Sequence, residues 1–106
     1  MGLLSFLRGP DIQEGLAQFR DTPDALLLDV REAEEYRAGH IPGSLSMPLS
    51  VLPARCLELK DKSQPLFVYC LSGARSRQAA DYLQSQGFQK VKNIGGISAY
   101  TGKVER

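Results

Sequence analysis

The sequence predicts an α/β domain with a mainly parallel sheet covered by helices on both faces, and two observations support this fold class. Two short apolar runs, at residues 25–30 and 66–69, have the length and composition of strands buried on both faces, and residues 91–94 are interpreted as the last strand. Segments with apolar residues at helical spacing alternate with these runs, which is typical of parallel strands joined by crossover helices. We therefore expect one domain over residues 1–106.

The N-terminal part predicts a short strand, a capped helix and a first central strand. Residues 4–7 are apolar and predict the short strand, because the apolar stretch before Arg8 is too brief for a signal peptide. Asp11 with Glu14 predicts a capping box. The apolar face of the helix that follows comprises Ile12, Leu16 and Phe19. The strand at residues 25–30 comes next.

The middle of the chain predicts a helix, an edge strand and a second helix. We expect the first helix over residues 32–38 and the edge strand over residues 44–47, where Pro48 ends it. Ser50 is expected to cap the second helix, with Pro53 in its first turn and Cys56 further along. A polar loop over residues 61–65 then leads into the apolar run at 66–69.

The C-terminal part predicts a helix, a last strand and a glycine turn. Apolar residues recur at helical spacing from Arg77 until Gly87. The last strand is expected over residues 91–94, followed by a close turn at Gly95 and Gly96 and a short helix over 97–100.

Cys70 lies where the buried strand at residues 66–69 passes into a loop and then a helix. In an open α/β sheet this carboxyl edge is where ligands bind. Backbone N–H groups of residues 71–76 and the N-terminus of the helix favour a negative charge on the sulfur, and Gly73 lets the loop amides converge. We therefore expect Cys70 to be an activated nucleophile beside an anion-binding loop, rather than a core cysteine that only packs.

Four motifs, in order from residue 27 to residue 100, together resemble the rhodanese sulfurtransferase family in its small single-domain form. They are Leu28-Asp29-Val30-Arg31-Glu32 with Glu35-Tyr36, then Gly39-His40-Ile41-Pro42-Gly43-Ser44, then Cys70-x-x-Gly73-x-Arg75, and finally Asn93-Ile94-Gly95-Gly96-Ile97 with Tyr100. The resemblance implies a three-layer fold with five strands. It also implies a catalytic Cys70 in an active-site loop that comprises Leu71, Ser72, Gly73, Ala74, Arg75 and Ser76.

The loop spacing favours sulfur transfer over phosphate chemistry. A cysteine phosphatase has five residues between its cysteine and arginine, whereas four separate Cys70 from Arg75, and Ser76 occupies the position where the phosphatase arginine would stand. We expect Cys70 to accept a sulfane sulfur from thiosulfate or a persulfide as its own persulfide, and to pass it to cyanide or a thiol, including a protein thiol. The alternative is a relay or docking module with one dedicated protein partner. Arg75 either binds the substrate or braces the loop through an internal ion pair.

Asp29 and Arg31 are expected at the same sheet edge as Cys70. They either orient the cysteine loop and border the substrate entrance, or form a structural ion pair, with Arg31 bound to Glu35. We favour the structural role, in agreement with the family resemblance. His40 is expected to bond loop backbone rather than act as a catalytic base. Cys56 is expected to pack in the core rather than serve as a resolving thiol.

Composition excludes several other classes of function. The net charge of +1 gives no electrostatic case for nucleic acid or membrane binding, and no apolar run has the length of a membrane span. Two cysteines and one histidine make neither a disulfide framework nor a zinc pattern, so we expect no metal and no cofactor. A working thiol favours the reducing cytoplasm.

Overall fold

The computed structural model describes residues 9–106, and the strand predicted over residues 4–7 lies outside the described residues. The α-helices are α1 (Ile12–Asp21), α2 (Ala33–Ala38), α3 (Leu52–Arg55) and α4 (Ala74–Ser85). The strands are β1 (Leu26–Asp29), β2 (Ser44–Ser46), β3 (Leu66–Cys70) and β4 (Val91–Gly96). Short 3₁₀ turns cover Leu49–Val51, Cys56–Glu58 and Ile97–Ala99. Within residues 9–106, no helix is both long and apolar enough to cross a membrane.

The strands form one sheet in the order β2-β1-β3-β4, and each neighbouring pair is parallel. All five residues of β3 are buried, as the apolar run predicted for a central strand. The described part of the chain contributes four strands, whereas five were expected for the whole chain. The fifth expected strand, over residues 4–7, lies outside the described residues. Because the strands are parallel, Asp29, Cys70 and Gly96 end at the same edge of the sheet.

Two apolar clusters, one on each face of the sheet, hold the helices in place. The cluster on one face joins the sheet to α3 and α4 and includes Leu28, Val68, Leu52, Ala79 and Leu83. The cluster on the other face joins the sheet to α1 and includes Ile12, Leu16, Leu27, Phe67 and Ile94. The predicted α/β class with three layers is confirmed. Gly15 lets α1 approach β4 closely, because a Cβ atom there would lie 2.3 Å from the Cβ of Ile94.

The helix starts confirm one predicted cap and correct another. The Asp11 carboxylate accepts the N–H groups of Gln13 and Glu14 at 3.0 and 3.3 Å, which confirms Asp11 as the cap of α1. The reciprocal bond from the Glu14 side chain to the Asp11 N–H, which the predicted capping box requires, is not found among the described residues. Ser50, predicted to cap the second helix, instead lies inside the 3₁₀ turn and donates its hydroxyl to Glu32 at 3.0 Å. The cap prediction is wrong because this extra turn moves the helix start to Leu52.

β4 continues through Gly95 and Gly96, so the turn predicted at these glycines is wrong. Both residues pair with the end of β3, opposite Tyr69 and Cys70 respectively. The register shifts within β4, because Asn93 is opposite Val68 and the next paired residue is Gly95. Ile94 is thus the extra residue of a β-bulge, and its side chain packs in the α1 cluster.

Candidate active site

Cys70 is the last residue of β3, and α4 begins four residues later at Ala74. It is a free cysteine and only 1% exposed. Two donors reach its sulfur, the N–H of Gly73 at 3.0 Å and the hydroxyl of Ser76 at 3.3 Å. A buried sulfur that receives N–H and O–H donors is better suited to a negative charge than a sulfur in a purely apolar pocket.

The pKa of the Cys70 thiol results from burial and hydrogen bonding in opposition. Burial alone raises this pKa, since it disfavours the charged thiolate. The Ser76 hydroxyl and the backbone N–H groups of Ser76, Gly73 and Ser72 outweigh burial and bring the pKa below its ordinary value. The thiolate is the nucleophilic form of cysteine, so these hydrogen bonds increase the fraction of Cys70 in its nucleophilic form.

The loop over residues 71–76 owes its shape to two glycines. Gly73 has a φ of +108°, in the left-handed region, and this conformation accompanies the turn of its N–H toward the sulfur. Gly96 on β4 lets the loop pack closely, since a Cβ atom there would lie 2.0 Å from the carbonyl oxygen of Leu71. That oxygen also accepts the N–H of Ser98 at 3.0 Å. The Leu71 side chain is 45% exposed, and Ser72 and Ala74 are exposed as well.

Arg75 forms a bidentate ion pair with Glu35 of α2. Its Nη1 and Nη2 atoms donate to the two carboxylate oxygens at 2.7 and 3.0 Å. This pairing lowers the pKa of Glu35 to about 2 and raises the pKa of Arg75. The ion pair predicted between Arg31 and Glu35 is therefore wrong, because the fork of Arg75 occupies both oxygens of that carboxylate. Arg75 thus fastens the Cys70 loop to α2.

Asp29 and Arg31 form a second, more deeply buried ion pair. Asp29 is fully buried and Arg31 is 6% exposed, and their closest contact is 2.7 Å. Burial lowers the pKa of Arg31, but the hydrogen bond and charge of Asp29 more than compensate and raise it. Arg31 also donates to the carbonyl of Gly39 at 2.7 Å. These contacts join the end of β1 to the turn after α2, and among the described residues they include none with residues 70–76.

The contacts of His40 in the described residues are with Tyr36 and Glu105, and none of them involves Cys70. Its Nδ1 lies 2.9 Å from the carbonyl oxygen of Tyr36, and its ring stacks on the Tyr36 ring at 3.7 Å between centroids. Its backbone pairs with that of Glu105 in an antiparallel bridge, whose two hydrogen bonds are 2.8 Å long. These contacts agree with the structural role expected for this histidine.

Cys56 lies in a 3₁₀ turn on the same face of the sheet as Cys70. It is 2% exposed, and its sulfur lies 3.7 Å from the carbonyl oxygen of Pro53. Cys56 and Cys70 are both free thiols. Cys56 packs in the apolar cluster with Leu52, as expected. Within residues 9–106, no three His, Cys, Asp or Glu side chains gather in a way that would hold a metal ion.

Asn93 is a residue of this site to which the sequence analysis gave no role. It lies on β4, and its side chain bonds the Ser76 hydroxyl at 2.7 Å and the Gly73 carbonyl at 3.2 Å. The available signal was an amide side chain in the strand predicted over residues 91–94, close before two glycines at the ligand-binding edge. Glu35 belongs to one of the sequence motifs, but its pairing with Arg75 was not predicted, because the two residues lie 40 positions apart in the sequence.

Comparison with known proteins agrees with this fold. The rhodanese-like domain family matches residues 13–103. A sulfurtransferase of Allochromatium vinosum is 44% identical over 89 residues, which cover 82% of each protein. The thiosulfate sulfurtransferase GlpE of Pseudoalteromonas translucida is 37% identical over 91 residues, covering 81% of this chain and 86% of that protein. The crystal structure of the Alr3790 protein from Anabaena superimposes with a TM-score of 0.79 at 31% identity, covering 90% of this chain and 79% of that one. The chain therefore belongs to the rhodanese-like domain family.

Proposed function

We propose that this protein is a sulfurtransferase in which Cys70 carries a sulfane sulfur as a persulfide between a donor and a thiol or cyanide acceptor. The observation that supports this most directly is the pair of donors on the Cys70 sulfur, the N–H of Gly73 at 3.0 Å and the hydroxyl of Ser76 at 3.3 Å. They favour the thiolate as a nucleophile and supply N–H and O–H groups beside the charge that the reaction places on sulfur.

The first half-reaction uses a donor such as thiosulfate. The Cys70 thiolate attacks the outer sulfur, a new S–S bond forms, and the S–S bond of thiosulfate breaks with its electron pair leaving on sulfite. The product is a Cys70 persulfide with one negative charge on its terminal sulfur. In the second half-reaction, cyanide or a thiolate attacks that terminal sulfur and restores the Cys70 thiolate, which gives ping-pong kinetics.

Arg75 has a bracing role in this proposal. Its two terminal nitrogens are bound to Glu35, so the negative charge of the donor is met chiefly by loop amides. A small loop whose donors converge on one sulfur suits the terminal sulfur of a donor better than a phosphoryl group with three charged oxygens. Asp29 and Arg31 support the fold at this edge without touching the substrate. Thiol chemistry of this kind fits a reducing compartment, and we place the protein in the cytoplasm.

A second candidate is a relay function with a protein acceptor, and one observation favours it. Leu71, immediately after Cys70, is 45% exposed. It is the apolar residue next to the nucleophile, so it is placed to contact a protein that approaches the sulfur, whereas it adds nothing to the binding of a small anion. In this version the persulfide forms in the same way, but a protein thiol is the acceptor.

Intact-protein mass spectrometry tests the proposal. After incubation with thiosulfate, or with a low-molecular-weight persulfide, the protein is expected to gain about 32 Da, the mass of one sulfur atom on Cys70. Cyanide or dithiothreitol should remove it. Cys70→Ser should abolish the gain, while the matched Cys56→Ser variant should retain it.

Two results would contradict the proposal. One is the absence of a mass gain with both donors, and the other is a gain that survives Cys70→Ser. Hydrolysis of an aryl phosphate that depends on Cys70 would instead support phosphatase chemistry. A persulfide that forms readily, but is not discharged by cyanide or small thiols, would favour the relay function.

A further inference from the structure

Asn93 makes a set of hydrogen bonds that links β4 to both donors of the Cys70 sulfur. Its Oδ1 accepts the Ser76 hydroxyl at 2.7 Å and the Gly95 N–H at 3.0 Å. Its Nδ2 donates to the carbonyl of Gly73 at 3.2 Å. Gly73 and Ser76 are the residues whose N–H and O–H reach the sulfur. The side chain of Asn93 therefore contacts both residues that hydrogen-bond to Cys70, through the carbonyl of Gly73 and the hydroxyl of Ser76.

The orientation of the Asn93 amide is determined by its partners. The Gly95 N–H can only donate and the Gly73 carbonyl can only accept, so a flipped amide would place two donors together and two acceptors together. Oδ1 must therefore face Gly95 and Ser76, and Nδ2 must face Gly73. The bulge at Ile94 accompanies the bond between Asn93 Oδ1 and the Gly95 N–H, because Asn93 and Gly95 pair with successive residues of β3 and Ile94 has no partner there.

The Ser76 hydroxyl has one hydrogen and several acceptors around it. Besides the Cys70 sulfur at 3.3 Å, it lies 2.7 Å from Asn93 Oδ1 and 3.1 Å from the Gly73 carbonyl oxygen. Ser76 is fully buried, so its hydroxyl always needs a protein partner. A thiolate competes well for this hydrogen because charged acceptors form stronger bonds, whereas a neutral sulfur leaves the hydrogen to Asn93.

We infer that Asn93 is a positioning residue for the chemistry of Cys70: its Nδ2 holds the Gly73 carbonyl, which keeps the Gly73 N–H facing the sulfur, and its Oδ1 is the alternative acceptor for the Ser76 hydrogen. The inference deepens the proposed function, since it concerns the same sulfur. Asn93 does not touch that sulfur in the hydrogen bonds described, and it acts through the two loop residues. It also offers the Ser76 hydroxyl a second acceptor when the negative charge moves from the Cys70 sulfur to the terminal sulfur of a persulfide.

The pH dependence of Cys70 alkylation tests this role without requiring sulfur transfer. The rate of modification by iodoacetamide, followed for Cys70 by mass spectrometry across pH, gives the pKa of the thiol. Asn93→Ala is expected to raise this pKa by about one unit, a tenfold change in the acid dissociation constant of the thiol, because the Gly73 N–H is no longer held toward the sulfur. Ser76→Ala should shift it in the same direction. Because Asn93 and the Cys70 sulfur share the Ser76 hydrogen, the pKa shift of the double variant should differ from the sum of the two single shifts.

Lys92→Ala is the matched control, since Lys92 is the exposed neighbour of Asn93 on the same strand. It should leave the alkylation profile unchanged. An Asn93→Ala protein that is less stable but keeps the wild-type pH profile would overturn the inference, as would strictly additive shifts in the double variant. Failure of the wild-type protein to accept sulfur would count against the proposed function alone, because alkylation reports the thiol directly.

Discussion

Gly96 gives the sharpest test of how the Cys70 loop is held. The backbone of Gly96 is extended, with φ −135° and ψ 147°, so alanine is conformationally acceptable there. The obstacle is space, because a Cβ atom would lie 2.0 Å from the Leu71 carbonyl oxygen and 2.6 Å from the Cα of Ser72. Both of these are backbone atoms, so no side-chain rotation can relieve the clash. In Gly96→Ala the loop itself must move.

The size of the movement follows from the same distances. To reach the 3.4 Å at which ordinary contact begins, the Leu71 oxygen must retreat by about 1.4 Å. That movement also lengthens its hydrogen bond from Ser98, now 3.0 Å. Overpacking of this kind costs about 1–3 kcal/mol of stability. A displacement of about 1 Å at a reacting group lowers rates by about a hundredfold. We therefore expect Gly96→Ala to fold less stably and to take up sulfur from thiosulfate about a hundredfold more slowly.

Gly15→Ala is the matched control for this prediction. Its Cβ would also clash, at 2.3 Å, but with the side chain of Ile94 between α1 and β4 rather than with the loop. It should lower the free energy of unfolding in urea while leaving the rate of sulfur uptake near the wild-type value. Stopped-flow or quenched mass measurement of Cys70 persulfide formation gives the rates. A Gly96→Ala protein with wild-type uptake, or a Gly15→Ala protein that is equally slow while folded, would refute this account of the loop.

Three further substitutions test other contacts of the structure. Glu35→Gln should cost about 1 kcal/mol in urea unfolding at pH 7, a value reduced for solvent screening of a partly exposed pair. Arg75 holds the pKa of Glu35 at about 2, below its ordinary 4.5. The difference in unfolding free energy between wild type and variant should therefore shrink as pH falls from 4.5 toward 2. A stability difference that does not change with pH would contradict the ion pair. Tyr69→Phe leaves the buried N–H of Ile41 without its 3.0 Å partner and should cost about 1–3 kcal/mol in urea unfolding, whereas an unchanged midpoint would show that this bond contributes nothing. His40→Ala should lower the melting temperature and leave the rate of persulfide formation unchanged; loss of that rate in a folded protein would show that the structural role is wrong.

The two central strands and the position of Cys70 were predictable because they depend on local patterns. A continuous apolar run such as residues 66–69 predicts a buried strand wherever it occurs, and the loop and helix that follow determine which edge of the sheet carries the thiol. The Asp11 cap was predictable for the same reason, since all its partners lie within three residues.

Polar pairs between distant elements were not predictable in this way. Glu35 had two arginines within its reach in the folded chain, and proximity in sequence favoured Arg31, whereas the fold brings Arg75 to it. Arg31 is instead taken by Asp29, which lies beside it on the same buried edge. The role of Asn93 depends on the β-bulge at Ile94, and no periodic pattern in the sequence reports a one-residue shift of register.

The ion pair between Arg75 and Glu35 has a consequence for damaged or newly made molecules. This ion pair joins residues that are 40 positions apart in the sequence, so it forms only after α2 and the Cys70 loop have come together. A nascent or heat-denatured chain lacks this ion pair and the ordered loop beside it. The pKa of its Cys70 thiol therefore returns to the ordinary value of a free cysteine. Loss of the tertiary structure therefore exposes the sulfur and, in the same event, lowers the fraction of it that is thiolate at neutral pH.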